Sequence, residues 1–141
     1  MFSKILVGTD GSDTADAAVE RAAAIAELTG GEVIVLNAYR TLPPMGDIGV
    51  AAVVSDPGMM VEDGKELLAR VETHIGARVP VRTTLRRGDP AHAIIDAAKQ
   101  EGVDLIVVGN RGMRGARRML GSVPNSVAHG ASCDVLIVHT G

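Results

Sequence analysis

The chain has 141 residues, 46% of them apolar, and a formal charge of −3. That length suits one domain with its own core, and no apolar run nears the about 20 residues that cross a membrane. The acidic balance excludes general nucleic-acid affinity, which needs a basic surface, and with Phe2 and Tyr39 as the only aromatics there is no stacking platform for single strands.

Met1-Phe2-Ser3-Lys4 leads straight into a first apolar run, Ile5–Val7, without the long apolar core and cleavage site of a signal peptide. A cytoplasmic location is therefore the default expectation. The loop Gly8-Thr9-Asp10-Gly11-Ser12-Asp13 follows. Ala18, Ala22, Ile25 and Thr29 then recur at helical spacing behind a cap at Ser12 or Asp13, and Gly30-Gly31 ends that helix. Val33–Leu36 is a second strand.

The segment from Arg40 to Met59 breaks the pattern. Leu42-Pro43-Pro44-Met45-Gly46-Asp47 and Ser55-Asp56-Pro57-Gly58 are turn chemistry without periodicity. The reading is either a disordered or lid-like connection, or one carrying a short helix at Val50–Val54. Beyond it, Met60, Leu67, Val71 and Ile75 form a second helical stripe ended by Gly76. Val79–Leu85 alternates with polar residues and reads as an edge strand. Asp89-Pro90 is a helix start, because Pro fits the first turn without losing a needed N–H; Ile94, Ile95 and Ala98 make its core face. Leu105–Val108 is a further strand, Ser122 and Pro124 open a helix reaching about His129, and Val135–Val138 is the last strand.

The strong runs are apolar on successive residues, as strands buried on both faces are. Strand and helix alternate, which predicts an α/β fold: a single doubly wound domain with a five-stranded parallel sheet and helices on both faces. In such a sheet the ligand sits outside the carboxyl ends of the strands at a topological switch.

The segment Val108-Gly109-Asn110-Arg111-Gly112-Met113-Arg114-Gly115, continuing to Gly121-Ser122-Val123, carries the chemistry. Its glycines let backbone N–H groups approach a ligand. A helix N-terminus offers unpaired N–H groups and partial positive charge. Arg111, Arg114, Arg117 and Arg118 add full charges within eight positions. Gly109, Asn110, Arg111, Gly112, Met113, Arg114, Gly115, Gly121 and Ser122 thus form a candidate phosphate site, with a nucleotide as the owner of the phosphate. The first loop competes poorly: Asp10, Asp13 and Asp16 lie where a pyrophosphate would meet carboxylates. Asp10 is left for the adenine or ribose side, for a metal ion bridging to the phosphates, or as a turn residue bonding its own backbone. No Walker A lysine follows either loop, so the P-loop reading fails.

At these residues the chain resembles the ATP-binding branch of the universal stress protein family. The family pattern is Gly-x2-Gly-x9-Gly followed by Ser or Thr. Gly109-x2-Gly112 fits it, with eight residues between Gly112 and Gly121. The opening Ile5-Leu6-Val7-Gly8-Thr9-Asp10-Gly11-Ser12 and the ending Cys133-Asp134-Val135-Leu136-Ile137-Val138 also match, so the resemblance spans essentially the whole chain. It implies the strand order 3-2-1-4-5, with the two glycine-rich loops side by side. It also implies adenosine near Thr9, Asp10 and Ala38, with Val108 and Val123 alongside, and ATP as the ligand; Gly8 joins the candidate nucleotide site, and Mg²⁺ would screen the triphosphate charge.

The remaining reactive residues read blandly. His74, His92, His129 and His139 have no metal spacing, so no metal site is assigned to protein ligands alone. Cys133 is the only cysteine and reads as an inert buried thiol. No nucleophile, general base or water-orienting residue accompanies the phosphate loop, so no catalytic residue is named and fast hydrolysis is not expected. The expectation is a small ATP-binding stress-response regulator, at most slowly hydrolytic or self-phosphorylating. A bare apolar edge at the last strand, together with the resemblance, predicts a homodimer through that strand. The alternatives are a cyclic AMP or AMP binder of the same fold and a nucleotide-free dimeric scaffold for an unknown protein partner.

Overall fold

A computed structural model describes residues 1–39, 57–110 and 122–140. In chain order these give β1 (Lys4–Gly8), α1 (Asp13–Thr29), β2 (Glu32–Tyr39), α2 (Pro57–Ile75), β3 (Val81–Arg87), α3 (Pro90–Glu101), β4 (Leu105–Gly109), α4 (Ser122–Gly130) and β5 (Asp134–Val138). Every strand pair is parallel and the sheet order is β3-β2-β1-β4-β5. The expected doubly wound sheet with its 3-2-1-4-5 order is what forms. The lid or Val50–Val54 helix expected within residues 40–56 lies outside the described residues, as do Arg111, Gly112, Met113, Arg114, Gly115 and Gly121.

Alternation along the central strands divides the core into two layers. Ile5, Val7, Val33, Val35, Leu105 and Val107 face α1 and α2. Leu6, Ile34, Leu36, Ile106 and Val108 face α3 and α4. Both faces of β1, β2 and β4 are thus covered, which is why those strands are apolar on consecutive residues.

Local chemistry sets the helix ends. Ser12 caps α1, its hydroxyl accepting from the Ala15 N–H at 3.2 Å, and Gly30 ends it in the left-handed conformation at φ 76°. Asp89 caps α3 by accepting from the His92 N–H, with Pro90 in the first turn.

Several expectations need correction. On α1, Ile25 is only half-buried and Thr29 is exposed; the buried stripe is Ala15, Ala18, Val19, Ala22, Ala23 and Ala26. Ala18 and Ala22 are buried as expected, whereas Ala15, Ala23 and Ala26 join them unannounced, because a reading weighted by side-chain bulk passes over small residues. On α3, Ile95 is half-buried and lies toward Gly130 of α4, while Ala91, Ala93, Ile94, Ala97 and Ala98 form the core face. The third strand is Val81–Arg87 rather than Val79–Leu85; Val79 is buried in the turn before it. Pro57, Gly58 and Met59 belong to α2 and not to the preceding connection. Finally, β5 is a sheet edge whose Val135, Leu136 and Ile137 are half-buried, and Cys133 beside it is half-buried too. Apolar content reports what a strand could bury, not how many neighbours cover it.

Candidate functional site

The order reversal falls between β1 and β4, which pair through Val7 and Val107 and end side by side. Outside their carboxyl ends, on the face carrying α3 and α4, lies a small, partly open cleft of about 50 Å³. Gly8, Val108, Leu36 and Ala38 line its sheet side, Pro90 and Ile94 of α3 one wall, and Val123 of α4 another. Thr9, Asp10, Gly109 and Ala15 complete it. Of the residues singled out in the sequence, Gly8, Thr9, Asp10, Ala38, Val108, Gly109 and Val123 therefore come together around one cavity. Ser122, exposed, begins α4 beside Val123.

Glycine at position 8 leaves the cleft open on its sheet side. A Cβ there would come within 2.8 Å of Ile94 Cδ1, the tip of a movable side chain. At Gly109 an added Cβ would run into Thr14 of α1, meeting its Cγ2 and, at 2.8 Å, its backbone oxygen. The glycine there meets a packing demand on the α1 face and offers only backbone to the cleft.

The turn after β1 is tightly hydrogen-bonded. The Thr9 N–H donates to the Leu36 carbonyl at 2.9 Å, extending the sheet by one residue. The Gly11 N–H donates to Thr9 Oγ1 at 3.1 Å and the Ser12 N–H to Asp10 Oδ1 at 2.9 Å. Asp10 is thus a turn residue bonding its own backbone, as one sequence reading had it; it also lines the cleft. Asp13 and Asp16 occupy the first turn of α1, so the charge around this loop is negative and repels phosphate.

Asn110 is engaged elsewhere. It is buried at 7% exposure, and its N–H donates to the Val138 carbonyl at 2.9 Å. Its Oδ1 accepts from both the N–H and the hydroxyl of Thr140 at 3.1 Å, and Thr140 Oγ1 lies 3.4 Å from Thr14 Oγ1. His139 Nδ1 stands 3.4 Å from Asn110 Nδ2. The side chain joins the ends of β4, β5 and α1 and is not offered to the cleft. The other histidines are exposed: His74 pairs with Glu20 at 2.7 Å and His92 lies 3.5 Å from Asp89.

Reasoning from sequence missed Leu36, Ala15 and Pro90 as cleft residues, and read Ile94 as core alone. It also missed Asn37, buried at 9% exposure, whose Nδ2 donates to the Thr9 carbonyl at 2.8 Å. The signal was present: a single polar residue directly follows the apolar run Val33–Leu36 toward the carboxyl end of its strand.

The model of the universal stress protein family matches residues 1–139. Universal stress protein Rv1636 of Mycobacterium tuberculosis strain H37Rv is 39% identical, over 99% of this chain and 97% of its own length. Among solved structures, hypothetical protein MJ0577 superposes with a TM-score of 0.85 at 28% identity, over 100% of this chain and 98% of that one. A universal stress protein in complex with cAMP superposes with a TM-score of 0.74 at 36% identity, over 99% and 98% of the two chains.

Proposed function

Since this chain belongs to the universal stress protein family, we propose that its cleft binds an adenine nucleotide, ATP before others, and that the protein works as a nucleotide-dependent regulator. One observation carries the reading. The apolar cleft between Ala38, Ile94, Val108 and Val123 opens at the switch point, and the chain leaves it at Gly109–Asn110 into the arginine- and glycine-rich segment that reaches Ser122. An apolar slot bordered by a few polar groups suits a purine nucleoside. The glycines and arginines that follow suit phosphates, through backbone N–H groups and full charge.

Mg²⁺ fits this arrangement as a companion of the phosphates. It takes one or two carboxylates plus phosphate oxygens, and among the described residues Asp10 is the carboxylate lining the cleft. When bound, the ion would screen the triphosphate charge; Asp10 would hold it, and Arg111 and Arg114 would hold the phosphates. Binding and release are the function, and turnover is expected below roughly one per second, the low end of ordinary enzymes. A steady-state ATPase rate well above that would overturn the regulator reading. Homodimerisation through β5 and an unidentified protein partner belong to the same proposal.

The similar chain in complex with cAMP favours a second reading, a cyclic AMP or AMP site in the same cleft. Calorimetric titration separates the two. A triphosphate site loses affinity stepwise from ATP to ADP to AMP, whereas a cyclic AMP site prefers the monophosphate. Mass spectrometry of small molecules released from the purified, denatured protein comes first. Co-purified ATP, or ATP–Mg²⁺ binding lost in Gly121→Val, supports the proposal. A protein that binds no adenine nucleotide refutes it.

A further inference from the structure

Asn37 is buried and polar yet outside the cleft, so nucleotide binding alone gives it no task. It follows Val33 and Val35 in β2 at even spacing, on the sheet face that packs against α1 and α2, opposite the cleft. Its Nδ2 donates to the Thr9 carbonyl at 2.8 Å. A carbonyl only accepts, so the nitrogen must face Thr9 and Oδ1 must face away.

On that other side lies Gly64 of α2. A Cβ added there would stand 2.7 Å from Asn37 Oδ1; the other near atom, Leu85 Cδ1 at 2.7 Å, is the tip of a flexible chain. The α2 backbone therefore rests against the carboxamide that holds Thr9. The carbonyl held is one edge of the planar Thr9–Asp10 peptide, so its direction sets how Asp10 enters the cleft.

We propose that Asn37 is a positioning residue coupling the seating of α2 to the Thr9–Asp10 peptide, and through it to affinity for the nucleoside end of the ligand. The last clause rests on the nucleotide reading above; the coupling itself does not.

The test is amide NMR on the unliganded full chain for wild type, Gly64→Ala, Asn37→Ala and the double variant, with parallel Mg²⁺-free titrations by ATP and inorganic tripolyphosphate. Gly64→Ala is expected to move the Asp10, Gly11 and Ser12 amide resonances. In the Asn37→Ala background the same change leaves them where Asn37→Ala alone put them. Each single variant weakens ATP about tenfold, the scale of one buried hydrogen bond. The double variant weakens it no further, and tripolyphosphate affinity holds throughout. Asn37→Leu, close in size and shape but without the donor, repeats Asn37→Ala without opening a cavity. Resonance changes confined to α2 and β3, or single effects that add in the double variant, overturn the coupling. Tripolyphosphate weakening in step with ATP would make the effect general and would likewise overturn it. A wild type that binds no nucleotide refutes the nucleotide reading alone, because the resonances still decide the coupling.

Discussion

Gly8 and Gly109 end neighbouring strands and look alike in the sequence, but a methyl group on each meets different neighbours. At Gly109 it strikes the backbone of α1 at Thr14, which cannot give without moving the helix. Gly109→Ala is expected to destabilise the fold by about 1–3 kcal/mol, the range for overpacking a tight contact, read from urea unfolding. At Gly8 the methyl meets the end of Ile94, which can swing aside into the cleft. Gly8→Ala should cost less stability than Gly109→Ala and weaken ATP binding more in calorimetry; the reverse ranking would mean the cleft is not where the ligand sits. Both glycines were legible as special, and the reason for each was not. A sequence marks where a side chain is missing but not which neighbour requires it. Asn37 and Asn110 carry the same lesson, since their hydrogen bonds run to Thr9 and Thr140, far away in sequence.

Elements were readable where local chemistry sets them. The caps Ser12 and Asp89, the Pro90 start and the Gly30 stop act within a few residues, so their helices fell close to where the sequence put them. Helix faces were less readable, because α1 buries small residues and α3 turns Ile95 toward α4. A contact between elements carries the pH dependence. Asp104, in the turn before β4, accepts the N–H groups of Ser3 at 3.0 Å and Lys4 at 3.1 Å at the start of β1. Burial pushes the Asp104 carboxyl up, but these hydrogen bonds outweigh it and hold its pKa below the ordinary value. A carboxyl depressed in the folded state stabilises above its unfolded pKa of about 3.9 and loses that stabilisation as pH falls through the lower folded value. Asp104→Asn is expected to lower stability at pH 7 by about 1 kcal/mol, kept small by partial exposure. The gap between variant and wild type should begin to narrow below about pH 4 and close only below the lower folded value. Urea midpoints at the two pH values check this, and an undiminished gap in acid would show that the clamp does not depend on charge.

At the scale of the molecule, alternation of strand and helix made the doubly wound class legible, since each apolar run needs cover on both faces. Strand order was not derivable from the runs, because nothing local tells β1 to pair with β4, about a hundred residues on. The expected order and the expected bare edge agree in leaving β5 with a neighbour on one side only. That edge keeps Val135, Leu136 and Ile137 half-buried, the apolar strand edge that invites pairing. Light scattering at micromolar concentration is expected to give twice the chain mass, and Ile137→Lys to return it to one chain. A wild-type monomer would remove β5 as an interface.

The junction of β1 with β4 has a consequence in time. It consists of three register pairs, Ile5↔Leu105, Leu6↔Ile106 and Val7↔Val107, whereas β2 and β3 share a ladder from Val33↔Val81 to Tyr39↔Arg87. Closing a short ladder between distant segments is the slow part of building a sheet. During folding the three-stranded half from β1 to β3 can form on nearer contacts, while β4 and β5 must join it afterwards. The cleft lies on that junction and exists in neither half. A newly made chain would therefore acquire its ligand-binding ability as the last event of its maturation, and any ligand that fills the cleft would act as a brake on the first step of coming apart.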